Sequence, residues 1–186
     1  MLPGSPYRHA AGVLAAIEAA RTTATPLLGT CGGFQHLLLE FARNVCGLDK
    51  VAHAEEEPDA PERLIVPLAC SLLGEEDAIV VRPGTMAAAA MGEGPSVERF
   101  FCRFGLNASY RTALEEGGLD FSGQDRSGDP RLVELPGHPF FVASLFQPEL
   151  SSSSTWVHPL IAAFARAARA HAAAAAVAAG TARAAR

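Results

Sequence analysis

The chain has no Lys/Arg run and no patch of interleaved basic and aromatic residues, and its formal net charge is −5 at pH 7. Both features argue against nucleic acid as a partner. Its four cysteines, Cys31, Cys46, Cys70 and Cys102, stand far apart without CxxC spacing. Neither a zinc site nor a disulfide framework is expected, and no metal or cofactor. A reduced, cytoplasmic setting fits this usage. No uninterrupted apolar stretch is long enough for a membrane span, and Met1-Leu2-Pro3-Gly4 is not a signal peptide. No internal repeat is present. One further absence concerns the start: an α/β chain normally opens on a buried apolar strand, yet Met1 leads straight into a Pro3-Gly4 turn.

What is present is enough for one domain with a real core, in 186 residues. His9 to Thr22 reads as an amphipathic helix carrying Val13, Leu14 and Ile17. Pro26–Thr30 reads as a strand and Gly32–Val45 as a second helix stopped by Gly47. Val51–Arg63, rich in Glu, Pro and Asp, is expected to be an exposed loop. Two strands, Leu64–Leu73 and Ala78–Arg82, are expected on either side of an acidic Gly74-Glu75-Glu76-Asp77 turn. A short helix over Thr85–Met91, a strand over Val97–Phe104, a helix over Asn107–Glu116 and strands at Leu119–Ser122, Arg131–Glu134 and Phe140–Phe146 follow. After the Ser151–Ser154 linker, His158–Ala179 reads as a terminal helix whose alanine-rich end projects or frays. Helices alternating with strands and then hairpins predict an α/β sheet with an antiparallel extension.

Two segments carry chemistry. In Thr25-Pro26-Leu27-Leu28-Gly29-Thr30-Cys31-Gly32-Gly33-Phe34-Gln35-His36 an apolar strand breaks at small residues into a helix. Such an elbow exposes a thiol, and the helix N-terminus behind it favours the thiolate. The bland alternative is a buried, inert cysteine. The second segment, Pro139-Phe140-Phe141-Val142-Ala143-Ser144-Leu145-Phe146-Gln147-Pro148-Glu149, places Gln147 two residues before a carboxylate.

In order, these segments resemble class I glutamine amidotransferases, in particular the C-terminal glutaminase domain of CTP synthase. The elbow Gly29-Thr30-Cys31-Gly32-Gly33-Phe34-Gln35 is similar to that family's Gly-x-Cys-x-Gly-x-Gln. Glu40–Val45, Leu119–Gly123, Val133-Glu134-Leu135-Pro136, His138–Ala143 and His158-Pro159-Leu160 resemble further family segments. The resemblance covers about Leu2 to Ala167. It implies a flavodoxin-like three-layer α/β/α sandwich with the opening strands missing, residues 1–167 forming a partial amidotransferase-like domain and 168–186 an alanine-rich terminal helix or tail.

The resemblance also implies roles. Cys31 takes the nucleophile's place and Glu149 that of the glutamate which orients the base. Gln147 replaces the catalytic histidine, and a glutamine amide cannot take up and return a proton near neutral pH. Gly4, Ser5 and Gly32 offer backbone N–H groups to an oxyanion. Gln35, Arg103 and Glu56 (or its neighbour Glu55) fall at substrate contacts, where Arg103 and Glu56 either hold a zwitterionic amino acid or are ordinary surface charges. Phe100, Phe101, Cys102 and Gly105 depart from the family around Arg103.

His53 is the candidate replacement base, against the alternative of an exposed loop histidine. His36 should face away from the elbow, and His138 is structural by resemblance. Three functions follow. The first is a divergent amidotransferase domain impaired in glutamine hydrolysis. The second is an active cysteine-dependent amidohydrolase or glutaminase of pyrimidine nucleotide (CTP) biosynthesis using another base, and the third a non-enzymatic binding or regulatory module. The expected partners are a small amide or amino acid such as glutamine, and a synthetase chain or a second copy.

Overall fold

The computed structural model describes residues 1–184. Seven strands form one mixed sheet: β1 (Leu27–Thr30), β2 (Ala52–His53), β3 (Arg63–Val81), β4 (Gly94–Leu106), β5 (Asp120–Asp125), β6 (Pro130–Glu134) and β7 (Phe141–Ser144). Their order is β1-β7-β6-β5-β3-β2, with β4 on β3. β1 runs parallel to β7 and β2 parallel to β3, while the other pairings are antiparallel. The helices are α1 (Ala10–Thr22), α2 (Gly32–Asn44), α3 (Met86–Met91), α4 (Arg111–Glu116), α5 (Pro148–Ser151) and α6 (Pro159–Ala184). α1 and α4 pack on α2, and α5 and α3 pack on α6. The sheet lies between these two groups as a flavodoxin-like three-layer sandwich.

β1 and β7 are buried along their whole length, as expected of apolar strands covered on both faces. α2 is buried from Gly32 to Ala42, and Phe34, Leu37, Leu38 and Phe41 are at most 2% exposed. Each contributes about 1.5–3 kcal/mol by leaving water. A helix buried all round must satisfy its own polar residues. Glu40 does so with Arg21 of α1, 2.6 Å away, and with Asn44. Arg43 donates to Val51 O, and Gln35 and His36 belong to the site described below. At the sheet's far end the Glu134 carboxylate accepts from the Met86 and Ala87 N–H groups, capping α3.

Three expectations need correction. The acidic Gly74–Asp77 segment is not a turn: β3 passes through it as one 19-residue strand, because β4 pairs beside it from Ile65↔Leu106 to Val81↔Gly94. The turn residues are absorbed as irregularities between Pro67/Leu72 and Leu73/Glu75, with Gly74 at φ +76°. The 51–63 segment is not wholly exposed, since Val51 to Ala54 are buried and Ala52-His53 pairs with β3. The terminal helix does not stop at Ala179 but continues to Ala184, with residues 172–178 exposed as in a projecting end; residues 185 and 186 of the expected tail lie outside the described residues. Within α6, Pro159–Ala178 is long and apolar enough to cross a membrane, at a mean hydropathy of 1.3. Its first turns instead pack Leu160, Ile161, Phe164 and Ala167 on the core.

Candidate active site

Cys31 sits between β1 and α2 at φ +50°, ψ −105°, one of two non-glycine residues with positive φ among the described residues. A side chain held there is strained, and the strain turns the sulfur out of the strand–helix corner. The corner is tight. A methyl group on Gly29 would stand 2.8 Å from the Gly33 carbonyl carbon, and one on Gly32 would collide with the Ser5 backbone nitrogen. Glycines are required here for close approach, and that approach brings the Pro3-Gly4-Ser5 segment over the thiol. A methyl group on Gly4 would lie 3.8 Å from Cys31 Sγ. The segment is tied to β1 by Leu2 N–H donating to Leu28 O and Thr30 N–H donating to Leu2 O.

The thiol opens into a cavity of about 260 Å³ lined in part by Ser5, Gln35, Glu55, Cys102 and Arg103. Cys31 is 7% exposed. Cys102 Sγ stands 2.7 Å from its sulfur, and the Phe101 carbonyl oxygen 3.8 Å away. Cys102 points inward because alternate residues of β4 face the core: Phe100 and Cys102 are buried, while Phe101 and Arg103 are exposed.

These contacts set the charge state. The Cys31 thiol is held below the ordinary range, first by hydrogen bonding from Cys102 and then by the Gly32 N–H. Burial and the Glu149 and Glu55 carboxylates oppose the shift. Cys102 is pushed up correspondingly, by its bond to Cys31 and by burial. Tyr7, whose hydroxyl donates to Pro3 O, is also raised, chiefly by burial and then by the negative charge of Cys31 and Glu149.

Gln147 Oε1 accepts from the Phe101 N–H at 2.6 Å, and Gln147 N–H donates to Arg99 O. The loop before α5 is thereby fastened along β4. Glu149 accepts from the Thr30 hydroxyl at 2.8 Å through Oε1, while Oε2 is buried with no partner among the described residues. Glu149 and Gln147 are not bonded to each other.

His53 Nε2 donates to Gln35 Oε1 at 3.0 Å and its Nδ1 accepts from the Glu55 N–H. It is 1% exposed, not a loop-surface histidine, and burial, with His36 beside it, lowers its pKa to about 4. Gln35 Nε2 donates to Phe104 O at 2.9 Å. His36 bonds Gly32 O and, through Nε2, Glu56 at 3.1 Å. Glu56 therefore faces His36, whereas Glu55 lines the cavity with Arg103. His138 bonds Ala20 O, away from the thiol.

The structure thus places Cys31, Ser5, Gln35 and Arg103 on one cavity, with Gly4, Gly32 and Gln147 close to the thiol and Glu149 bonded to Thr30 beside it in sequence. It leaves Glu56 and His53 behind the first layer of residues. Sequence reasoning missed Thr30, Tyr7 and the position of Cys102 as neighbour of Cys31. Thr30 lay in plain view in the elbow, but nothing local marks Tyr7 or Cys102, which arrive from distant segments.

No family model matches the chain. It is 37% identical to CTP synthase of Dehalococcoides mccartyi over 91% of its own length and 33% of that protein's. It is 38% identical to CTP synthase of Rubrobacter xylanophilus over 88% of its length and 31% of that relative's. The chain thus spans about a third of the curated relatives it matches. Among solved structures, the Trypanosoma brucei CTPS glutaminase domain with bound acivicin superposes with a TM-score of 0.81 at 26% identity, covering 90% of this chain and 69% of that one. A GMP synthase-like protein from Thermoplasma acidophilum, at 12% identity and a TM-score of 0.61 over 91% of this chain and 72% of that one, shares the fold alone. The chain therefore has the fold of class I glutamine amidotransferases and resembles, in sequence and in structure, the glutaminase domain of CTP synthase.

Proposed function

We propose that the chain is a divergent glutamine amidotransferase domain of the CTP synthase type, with a poised cysteine nucleophile and little glutamine hydrolysis. The observation that carries this is Cys31 at a strained elbow with the Gln147 amide, not an imidazole, near it: a methyl group on Gly4 would stand 3.8 Å from Cys31 Sγ and 3.9 Å from Gln147 Nε2. Hydrolysis would need the Cys31 thiolate to attack the side-chain amide carbon. The Gly32 N–H and the backbone of Gly4 and Ser5 stand ready for the oxyanion. Arg103 and Glu55 both line the cavity, charges suited to the carboxylate and ammonium of an amino acid.

The step that fails is proton delivery to departing ammonia. The Gln147 amide cannot protonate a leaving group, and its oxygen is committed to Phe101. Losing one member of such a unit lowers turnover by roughly 10⁴- to 10⁶-fold. The unpartnered Oε2 of Glu149 supports the same reading, because a ring N–H at position 147 is the donor it lacks. A His53 base gains no support, since both its ring nitrogens are engaged elsewhere. A cytoplasmic protein meeting glutamine, with a synthetase chain or a second copy as partner, is the setting this reading implies.

The test is ammonia release from glutamine by purified protein. Wild type is expected near background and Gln147→His well above it, with the gain abolished by Cys31→Ala. Robust release by wild type that disappears in Cys31→Ala overturns the proposal.

A further inference from the structure

We propose that Cys31 and Cys102 form a dithiol redox pair, in which Cys31 takes an oxygen from a hydroperoxide and Cys102 closes the disulfide. This rests on the reading of Cys31 as an activated nucleophile but assigns it a different electrophile. The glutamine site has no use for a second thiol. Yet Cys102 stands 2.7 Å from Cys31 Sγ, 71 residues away in sequence, and is 2% exposed. It is fixed there by the inward phase of β4, by the pairing of Cys102 with Leu72, and by its approach to Leu145 O at 3.0 Å.

The division of labour follows from the same contacts. Cys102, protonated, donates to Cys31, and of the two sulfurs that line the 260 Å³ cavity with Arg103, Cys31 belongs to the more exposed residue, at 7% against 2%. A thiol held toward the thiolate on the wall of a cavity, with a second thiol within reach, is an arrangement that oxidises selectively. The other cysteines serve as internal controls: Cys46 lies against Ala113 O and Cys70 is exposed on β3.

The chemistry balances in two steps. The Cys31 thiolate attacks the terminal peroxide oxygen of ROOH; the O–O bond breaks, and with one proton the products are Cys31–SOH and ROH. The Cys102 sulfur then attacks the sulfenic sulfur, the S–O bond breaks, and hydroxide leaves as water with the Cys102 proton. Two thiols are oxidised by two electrons and one peroxide is reduced. An external dithiol returns the pair to the thiols by exchange, ending as its own disulfide. No base of the histidine kind is needed, because the leaving alkoxide or hydroxide takes its proton from water, whereas departing ammonia depends on the missing relay.

The experiment treats the fully reduced, full-length chain with one equivalent of hydrogen peroxide, followed by free-thiol counting and non-reducing peptide mapping. Two of the four thiols are expected to disappear, with a single Cys31–Cys102 crosslink that dithiothreitol reverses. In Cys102→Ser, dimedone should trap a sulfenic acid on Cys31 and no disulfide should form. Retention of all four thiols, or a crosslink through Cys46, Cys70 or a second chain, overturns the proposal. The wild-type mapping decides even if the variant does not fold. Iodoacetamide on the same preparation separates the two readings. Rapid alkylation of Cys31 without a disulfide removes the redox pair alone, and slow alkylation without a disulfide removes the activated nucleophile as well.

Discussion

The two walls of the cavity are built differently. The elbow wall, from Gly29 to Gly33 with the Pro3-Gly4-Ser5 segment on it, is backbone against backbone, with glycines where any side chain would collide. The other wall, Phe101 to Arg103 on β4 with Gln147 bonded to the Phe101 N–H, is made of side chains on a strand and a loop joined by a few hydrogen bonds. Steric closeness leaves the first wall almost no freedom, so its geometry remains that of a nucleophile elbow. The second wall depends on side chains, which can be exchanged with less disturbance of the fold. On the function proposed above, the rigid wall keeps the nucleophile while the side-chain wall carries the change in proton chemistry.

The sharpest way to break the comparison is to change one side chain in each wall. Gly29→Ala meets the Gly33 backbone and Ala143 Cβ at 2.8 and 3.2 Å. It should cost about 1–3 kcal/mol or prevent folding, as overpacking does. Phe101→Ala, at a side chain 58% exposed, should stay within about 0.5 kcal/mol. Urea denaturation of both variants checks this, and equal costs would erase the distinction.

Next in size is a pH effect from the layer behind the elbow. His53 has its pKa lowered to about 4 by burial, below its ordinary 6.5. The unfolded chain therefore binds more protons between those values, and the neutral ring's contribution is complete above pH 6.5 and fades as pH falls toward 4. Stability should drop by on the order of 2–3 kcal/mol across that window. His53→Gln should flatten the slope in denaturation measured at several pH values.

Smaller effects probe the second wall. Cys102→Ala removes the hydrogen bond that most lowers the Cys31 thiol. Its alkylation midpoint should move to higher pH, with iodoacetamide labelling at neutral pH slowed roughly tenfold. Cys102→Ser, which keeps a donor, should lie between. Smallest is Glu149→Gln: removing a charge that raises the Cys31 pKa should shift the midpoint down and speed labelling by about two- to threefold. A slower reaction in that variant would reverse the assigned sign.

The elbow wall was legible in sequence because its determinants are local: small residues between an apolar strand and a helix can do little else. Most helices and strands were legible for the same reason, through periodicity. The second wall was not. Residues 74–77 carry turn chemistry, but a strand pairs alongside them from 20 and more residues later and holds them extended. Likewise the acidic 51–63 segment reads as surface until β3 covers its first residues. Cys102 looked like a mere departure from the family. Only the register of β4 with β3 places its sulfur on Cys31.

The account is tested most directly by exposing the reduced protein to a glutamine-analogue electrophile, mapping the adduct by mass spectrometry, and assaying the untreated protein for ammonia from glutamine. A single adduct on Cys31 with background ammonia is the predicted result. Steady ammonia production that depends on Cys31, or a Cys31 that remains unmodified, would contradict it.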